Sequence, residues 1–432
     1  MEQFEIKEIC TSDYLVNLLR QKVFDSTLKY EIPPSLEKFL QRNNLLVQVK
    51  YLFAKSVHTR TYLYYLCSKD DVKFVHENSK TVYIWNPKKM IWEEHNTYHV
   101  RHIYLRYVIS SIYMSICTAI RNIEEEDPIS DSSLISTKED LCECLLKMLE
   151  ISGSSRNINE ILPQYVEHTI DKNFPLQLNP SGYVAVKGNK IVDLKTGEVR
   201  DRVKTDYFTS ELQIKYDPTA VSRLWERTLQ QIMLYDKNKI RLLQEVLGYC
   251  LSGSCKEEKL IMIIGDNNSA KSFIVNILDY ILGHFFTGLN SSLLLGRKKI
   301  SFPTELKNKR IGVITDLKET DVIRTDKLKI LVSNNKYANK FSRSDFVEKT
   351  SLRHVIIVTS NSKPKFSEIN LSVRERLLVI HFDAKFIDKP KAKNEFQVNR
   401  TLFDTLKLEE EAILKWIIDG AVRYYKNEKL IF

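Results

Sequence analysis

No stretch of this chain comes near the roughly 18–20 uninterrupted apolar residues that a membrane span requires, although 43% of its 432 residues are hydrophobic. The first ten residues, Met1–Cys10, mix acidic with apolar side chains and match neither a secretory signal nor a transit peptide. Seven cysteines stand at Cys10, Cys67, Cys117, Cys142, Cys144, Cys250 and Cys255, an odd number with no CxxC pair among them. That spacing argues against a disulfide framework and against a zinc site, and points to an intracellular, reducing compartment. His95, His99 and His102 are the closest set of histidines, the first two fitting an i, i+4 pair, but no fourth ligand is evident and helix packing explains them better. Internal repeats, low-complexity tracts and the clustered carboxylates of a polymerase-type two-metal site are absent as well.

What is present is a long, basic chain. The net charge is +10 with a pI near 9.0, which suits a polyanionic partner, nucleic acid being the commonest. The length suffices for two or three domains. Residues 1–70 alternate short apolar runs with charges and read as mostly helical. Thr81–Trp85 is wholly β-branched or aromatic, Asn86–Lys89 supplies a turn, and Met90–Trp92 a second strand. Val100–Ile123 and Thr137–Ile151 read as helices, as does Asn157–Ile170 despite Pro163. Gly182–Val186 and Lys190–Leu194, flanked by Gly188-Asn189 and Thr196-Gly197, read as β-hairpins. Ser222–Leu234 and Asn238–Leu251 return to helix, and Leu406–Lys426 reads as a single amphipathic helix. Between them, buried apolar runs at Leu260–Ile264, Ile311–Ile314 and Val355–Val358 alternate with helical stretches, the pattern of an α/β domain.

The chemistry gathers in that last part. Leu260–Ile264 is an apolar strand broken by Gly265, and Lys271-Ser272 opens a helix at Phe273. Strand, loop and helix in that order are the context of the phosphate-loop motif GxxxxGK[ST]. The loop is Gly265-Asp266-Asn267-Asn268-Ser269-Ala270-Lys271-Ser272. Its backbone N–H groups and the helix N-terminus would cradle phosphates, Lys271 would reach their oxygens, and the Ser272 hydroxyl would ligate Mg²⁺. Ala270 stands where the motif has its second glycine. If that position needs φ > 0, alanine costs on the order of 1 kcal/mol or more; in the α region the cost is small. The bland alternative is a glycine loop that precedes a helix by accident.

Three further elements bear on that choice. The strand Ile311–Ile314 ends at Thr315-Asp316, some 45 residues beyond Lys271, where an acid can hold Mg²⁺. An Asp at a strand end is otherwise a turn or cap residue; Glu319, three residues on, is a weaker candidate for the base. A third strand ends at Asn361, placed to position water or sense a γ-phosphate, although Ser-Asn is by itself an ordinary turn. Arg374 and Arg376 then precede the apolar strand Leu377–Phe382, where arginines usually form surface ion pairs.

In this order and compactness the four elements resemble the superfamily 3 helicases, specifically the poxvirus-type and phage-type primase–helicase ATPases. Asp193–Glu198, Asp206–Thr209, Tyr216–Pro218 and Glu245–Tyr249 resemble the domain that precedes the motor in that family. Trp85 and Trp92 fit its early hairpin, and Glu411–Gly420 fits its closing helix. The resemblance implies an α/β fold: a P-loop AAA+-like ATPase core with a preceding mixed α+β domain and a C-terminal helical segment. The expected domains are residues 1–72, an N-terminal helical extension; 73–240, the preceding domain; 241–385, the ATPase; and 386–432, the helical segment.

For the site, the resemblance implies ATP on the loop, Mg²⁺ at Ser272 and Asp316, sensing at Asn361, and Arg376 as an arginine finger into a neighbouring subunit, with Arg374 the runner-up. It further implies a DNA helicase for replication of a virus, phage or plasmid-like element, at work in host cytoplasm. The protein would form a homo-oligomer, a hexameric ring with single-stranded DNA in its central pore, with a separate primase or polymerase as a further partner and no membrane. Only some 70 residues precede the family-like region, too few for a primase domain. Pore contacts are expected from basic residues between the second and third motifs, Lys340 first and Lys336 second among Lys327, Lys329 and Arg343. Tyr337 and Phe341 stand beside them to stack on bases; a solvated helix face is the alternative. The alternative function is a P-loop ATPase that acts as a DNA-packaging, switch or scaffold ring without unwinding.

Overall fold

The computed structural model describes residues 41, 61, 70–75, 81–96, 155–296, 304–333, 337–340, 347–350 and 353–430. The helices expected over 1–70, at Val100–Ile123 and at Thr137–Ile151 lie outside the described residues, as does Lys336. Two compact bodies divide the chain: Met1–Trp85 with Glu94–Phe174, and Asn86–Glu93 with Pro175–Phe432.

In the first body, β1 (Val72–Phe74) pairs antiparallel with β2 (Thr81–Asn86), Lys73 opposite Tyr83. Helix α1 (Ser155–Thr169) sets Tyr165 edge-on against Phe74, ring centroids 6.1 Å apart. Pro163 lies inside this helix. A proline there costs about 3 kcal/mol in an isolated helix, and burial of Ile161, Tyr165 and Val166 offsets it.

The second body opens with the segment that contains Trp92, in β3 (Ile91–Asn96). The Trp92 backbone N–H donates to Phe208 O at 2.7 Å and its indole Nε1 to Lys204 O at 3.2 Å. Strands β4 (Tyr183–Val186), β5 (Lys190–Asp193) and β6 (Val199–Asp201) form an antiparallel sheet, as the hairpin signals predict. Ser222 caps α2 (Arg223–Ile232) by accepting from Trp225 N, and Asp236 caps α3 (Lys237–Leu251).

A five-stranded parallel sheet follows. Its members are β7 (Leu260–Ile264), β8 (Phe286–Gly288), β9 (Ile311–Leu317), β13 (Val355–Ser360) and β15 (Leu377–His381), in the order β15-β7-β13-β9-β8. Between them come α4 (Lys271–Leu282), β10 (Val322–Ile323), α5 (Thr325–Val332) and the antiparallel pair β11 (Tyr337–Lys340) and β12 (Val347–Thr350). Strand β14 (Lys365–Phe366) pairs with β10, and beyond β15, β16 (Lys385–Ile387) pairs with β17 (Glu395–Gln397). Because strand side chains alternate faces, Ile261 and Ile263 join one core with α3, α4 and the closing helix, while Leu260, Met262 and Ile264 join another with Leu328 and Leu331 of α5. Both faces are covered, which is why these strands read as continuous apolar runs.

The C-terminus departs from the expectation of one helix over Leu406–Lys426. A short helix, Leu402–Lys407, precedes α6 (Glu410–Asn427), and Leu408 between them is 87% exposed. The break lets Leu406 and Ile413 both reach the core. Helix α6 lies backbone to backbone on α3. A Cβ on Gly248 would meet Ala421 N at 2.0 Å, and one on Gly420 would meet Gln244 O at 2.0 Å. Among the described residues, no helix is long and apolar enough to cross a membrane.

Candidate nucleotide-binding site

Strand order decides where a ligand can sit. From β7 the chain leads through α4 to β8 at one edge, whereas from β13 it leads to β15 on the other side of β7. Connections that run in opposite senses open a crevice outside the carboxyl ends of β7 and β13. The loop Gly265–Ala270 occupies that place.

The loop is tightly braced. Gly265 N donates to Ser360 O at 3.2 Å, and a Cβ on Gly265 would sit 2.3 Å from Phe382 O and 2.6 Å from Ser269 Oγ, so only glycine fits. The Lys271 ammonium, almost wholly buried, donates to Gly265 O at 2.5 Å, Asp266 O at 2.8 Å and Ser269 Oγ at 3.2 Å. It thus closes the loop on itself until an acceptor of greater charge competes for it. Ala270 takes φ 70°, ψ 13°, the left-handed region, so the costlier of the two sequence alternatives holds. It also gives α4 no side-chain cap, and the first N–H groups of that helix face the loop as donors suited to an anion. Ser272, on the first turn, is exposed, as are Asp266, Asn267 and Asn268.

Two neighbouring strands deliver the other candidates. Asn361, just past β13, donates from Nδ2 to Asn267 Oδ1 at 3.0 Å, so this residue reaches the loop. In β9, Val358 faces Ile314 but Ser360 faces Leu317, so β9 carries one extra residue in the interval that includes Thr315 and Asp316. A bulge of this kind kinks a strand locally and is common beside functional sites. Ser360 Oγ fastens the two strand tips by donating to Leu317 O at 2.8 Å. Glu319 is exposed in the turn that follows.

Arg376 lies at the opposite edge of the sheet. Its carbonyl accepts from Leu260 N at the start of β7, a whole strand away from Gly265. Its guanidinium donates to Ser372 Oγ at 2.7 Å and to Glu258 Oε2 at 2.9 Å. Arg374 is exposed. Lys340 ends β11 opposite Val347, the first residue of β12. Lys327, grouped with the pore candidates from sequence, is instead buried in α5 and donates to Ser292 O at 3.3 Å, which withdraws it from any surface role.

Three contributors carried no signal in the sequence. Lys385 pairs with Asp266 at 2.9 Å, and that hydrogen bond holds the Asp266 carboxyl below its ordinary range. Phe386 N donates to Asn268 O at 2.9 Å. Arg310, fully buried, gives its guanidinium to Leu251 O, to Tyr183 O at 2.6 Å and to Pro180 O at 3.3 Å, and lies 5.2 Å from the Phe285 ring centroid. Desolvation lowers it to about 9. The residue ties β9 to β4 and the end of α3, and no spacing announces that task.

Residues 59–234 match the family described as D5 N terminal like. The "Putative helicase L207/L206" of Acanthamoeba polyphaga mimivirus is 22% identical over 303 residues, which is 66% of this chain and 31% of that protein. The chain therefore spans about a third of the length of this curated relative. Among solved structures, the A form apo structure of the NrS-1 C terminal region is 16% identical with a TM-score of 0.39, covering 55% of each chain. A second apo structure of that region gives 15% and 0.40, covering 55% of this chain and 56% of that one. The family match and the mimivirus relative agree with the resemblance to the viral and phage primase–helicase type family.

Proposed function

We propose that this protein is an ATP-dependent DNA helicase of superfamily 3, with a P-loop AAA+-like core, acting in replication of a virus, phage or plasmid-like element. The observation that carries the reading is the meeting of the Gly265–Ser272 loop with Asn361 at the carboxyl edge of a parallel sheet, where β9 also carries the backbone of Asp316, one residue before its end. Lys271 would exchange its bonds to the loop for phosphate oxygens, a charge-assisted and therefore stronger partnership. Ser272 and Asp316 offer hard oxygen ligands of the type that Mg²⁺ accepts alongside phosphates and water. Bound Mg²⁺ would neutralise charge on the phosphates. Asn361 would orient the attacking water, with Glu319 the nearest further acid in sequence.

Arg376 stands about five strand residues from its own loop, on the order of 15 Å at the rise of a β-strand, so it would act on a neighbouring subunit's nucleotide. That arrangement needs a ring, and a hexamer with single-stranded DNA in its pore fits the β11–β12 hairpin, with Lys340 at the closed end of its ladder. Lys336 is a second contact under the same proposal, and a separate primase or polymerase is a further partner.

Strand displacement on a tailed duplex tests the reading. ATP-dependent unwinding by the intact chain, lost in Lys271→Ala, supports a helicase. ATP hydrolysis without unwinding would favour a packaging, switch or scaffold ring, and unchanged hydrolysis in Lys271→Ala would overturn the motor altogether.

A further inference from the structure

The polypeptide that braces the phosphate loop on its outer side continues directly into a row of aromatic rings. Lys385 holds Asp266, and the next residue, Phe386, holds Asn268 through its backbone. The Phe386 ring lies against Phe396 with centroids 5.7 Å apart and 31° between the planes, and Phe396 in turn meets Tyr235 at 6.3 Å and 59°. Tyr235 ends the row and is 60% exposed, one of the more open aromatic side chains among the described residues.

The placement of Tyr235 is enforced rather than incidental. Leu234 and Tyr235 take φ of 51° and 65° in succession, a conformation that non-glycine residues seldom adopt. The turn is closed by Tyr235 N donating to Gln230 O at 2.7 Å, and Asp236 then caps α3. Lys239, in the first turn of α3, pairs with Asp383 at 2.8 Å and so ties this turn to the segment that carries Lys385. Backbone strain of this kind persists only where surrounding contacts over-determine it, and it clusters at ligand sites. Here it holds an exposed tyrosine ring at the end of the row that begins at Phe386, the residue bonded to Asn268.

We propose that this row is the base-binding platform of the nucleotide site, with Tyr235 stacking on the base and Phe396 and Phe386 backing it. The proposal rests on the nucleotide reading of the loop and adds to it the part of the ligand that the loop does not touch. Stacking on a flat aromatic face tolerates any base, because each has a π-face, and the larger purine rings cover more apolar area than pyrimidines do. The site therefore takes purine nucleoside triphosphates, adenine and guanine alike, ahead of pyrimidine ones.

Calorimetric titration with ATP and, separately, with inorganic tripolyphosphate, both with Mg²⁺, tests this on the intact chain. In Tyr235→Ala the affinity for ATP should fall about tenfold, the usual effect of losing one stacking ring, with the affinity for tripolyphosphate unchanged. Tyr235→Phe should restore ATP binding, since the ring and not the hydroxyl does the work. Tyr235→Ala binding ATP as tightly as the unaltered chain would overturn the platform while leaving the phosphate site standing. If the unaltered chain binds neither ligand, the nucleotide reading itself fails and the platform goes with it.

Discussion

Replacing Ala270 by glycine and by valine probes the one strained residue of the phosphate loop. At φ 70° and ψ 13° the alanine Cβ crowds its own backbone, a cost of roughly 1–2 kcal/mol for an L residue. Glycine removes that cost. It gives back about 0.4–1 kcal/mol through the greater freedom of the unfolded chain, and a further few tenths for a methyl only partly packed on the core. We expect Ala270→Gly to stabilise the domain slightly, by about 0.5 kcal/mol, and Ala270→Val to destabilise it by about 2 kcal/mol, because branching at Cβ worsens the clash. At about 2–4 °C per kcal/mol for a domain of this size, the two variants should melt some 5–10 °C apart in a thermal scan. Equal melting temperatures, or a valine variant as stable as the alanine parent, would refute a left-handed conformation at this position.

The remaining expectations are briefer. Asp316→Asn should lose Mg²⁺-dependent hydrolysis, because an amide lacks the charge the ion prefers; full turnover at saturating Mg²⁺ would remove Asp316 from the site. Lys340→Ala should weaken single-stranded DNA binding and lower the slope of log affinity against log salt by about 0.7 per lost contact, and an unmoved slope would make the hairpin a solvated face. Arg376→Ala and Lys271→Ala should each be nearly inactive, yet part of the ATPase should return in verified mixed rings where intact residues meet across an interface. No recovery would count against action in trans, and full activity of Arg376→Ala alone would move the role to Arg374. His354 is buried with Nε2 3.2 Å from Leu331 O, and desolvation lowers it from 6.5 to about 4. Above pH 6.5 both folded and unfolded chains carry it neutral. Below that the unfolded chain binds the proton first, so stability should fall by up to about 3 kcal/mol as pH drops from 6.5 to 4. His354→Gln should flatten that part of the curve, and an unaltered curve would remove His354 as its cause.

Local structure was legible where a single segment carries it. Leu260–Ile264 is apolar at every position because both faces of its strand are covered, so an unbroken run followed by Gly265 and Lys271-Ser272 announces strand, loop and helix without help from the rest of the chain. The same holds for β4 and β5, whose turn residues mark the hairpin. Other features depend on what arrives from far away. Nothing near Ala270 says that its backbone turns left-handed; the brace from Phe382 and Phe386 constrains the loop around it. Gly248 and Gly420 are 172 positions apart in sequence and look like ordinary helical weaknesses until α3 and α6 meet there with no room for a side chain. Lys327 reads as a surface cation and is buried, while Lys385 reads as one more lysine and pairs with Asp266 of the loop. Residue type and short-range spacing settle secondary structure and chemical capacity, because those follow from the backbone period and the side chain itself. Burial, strain and partnership are properties of the space between segments, and only the folded chain defines that space.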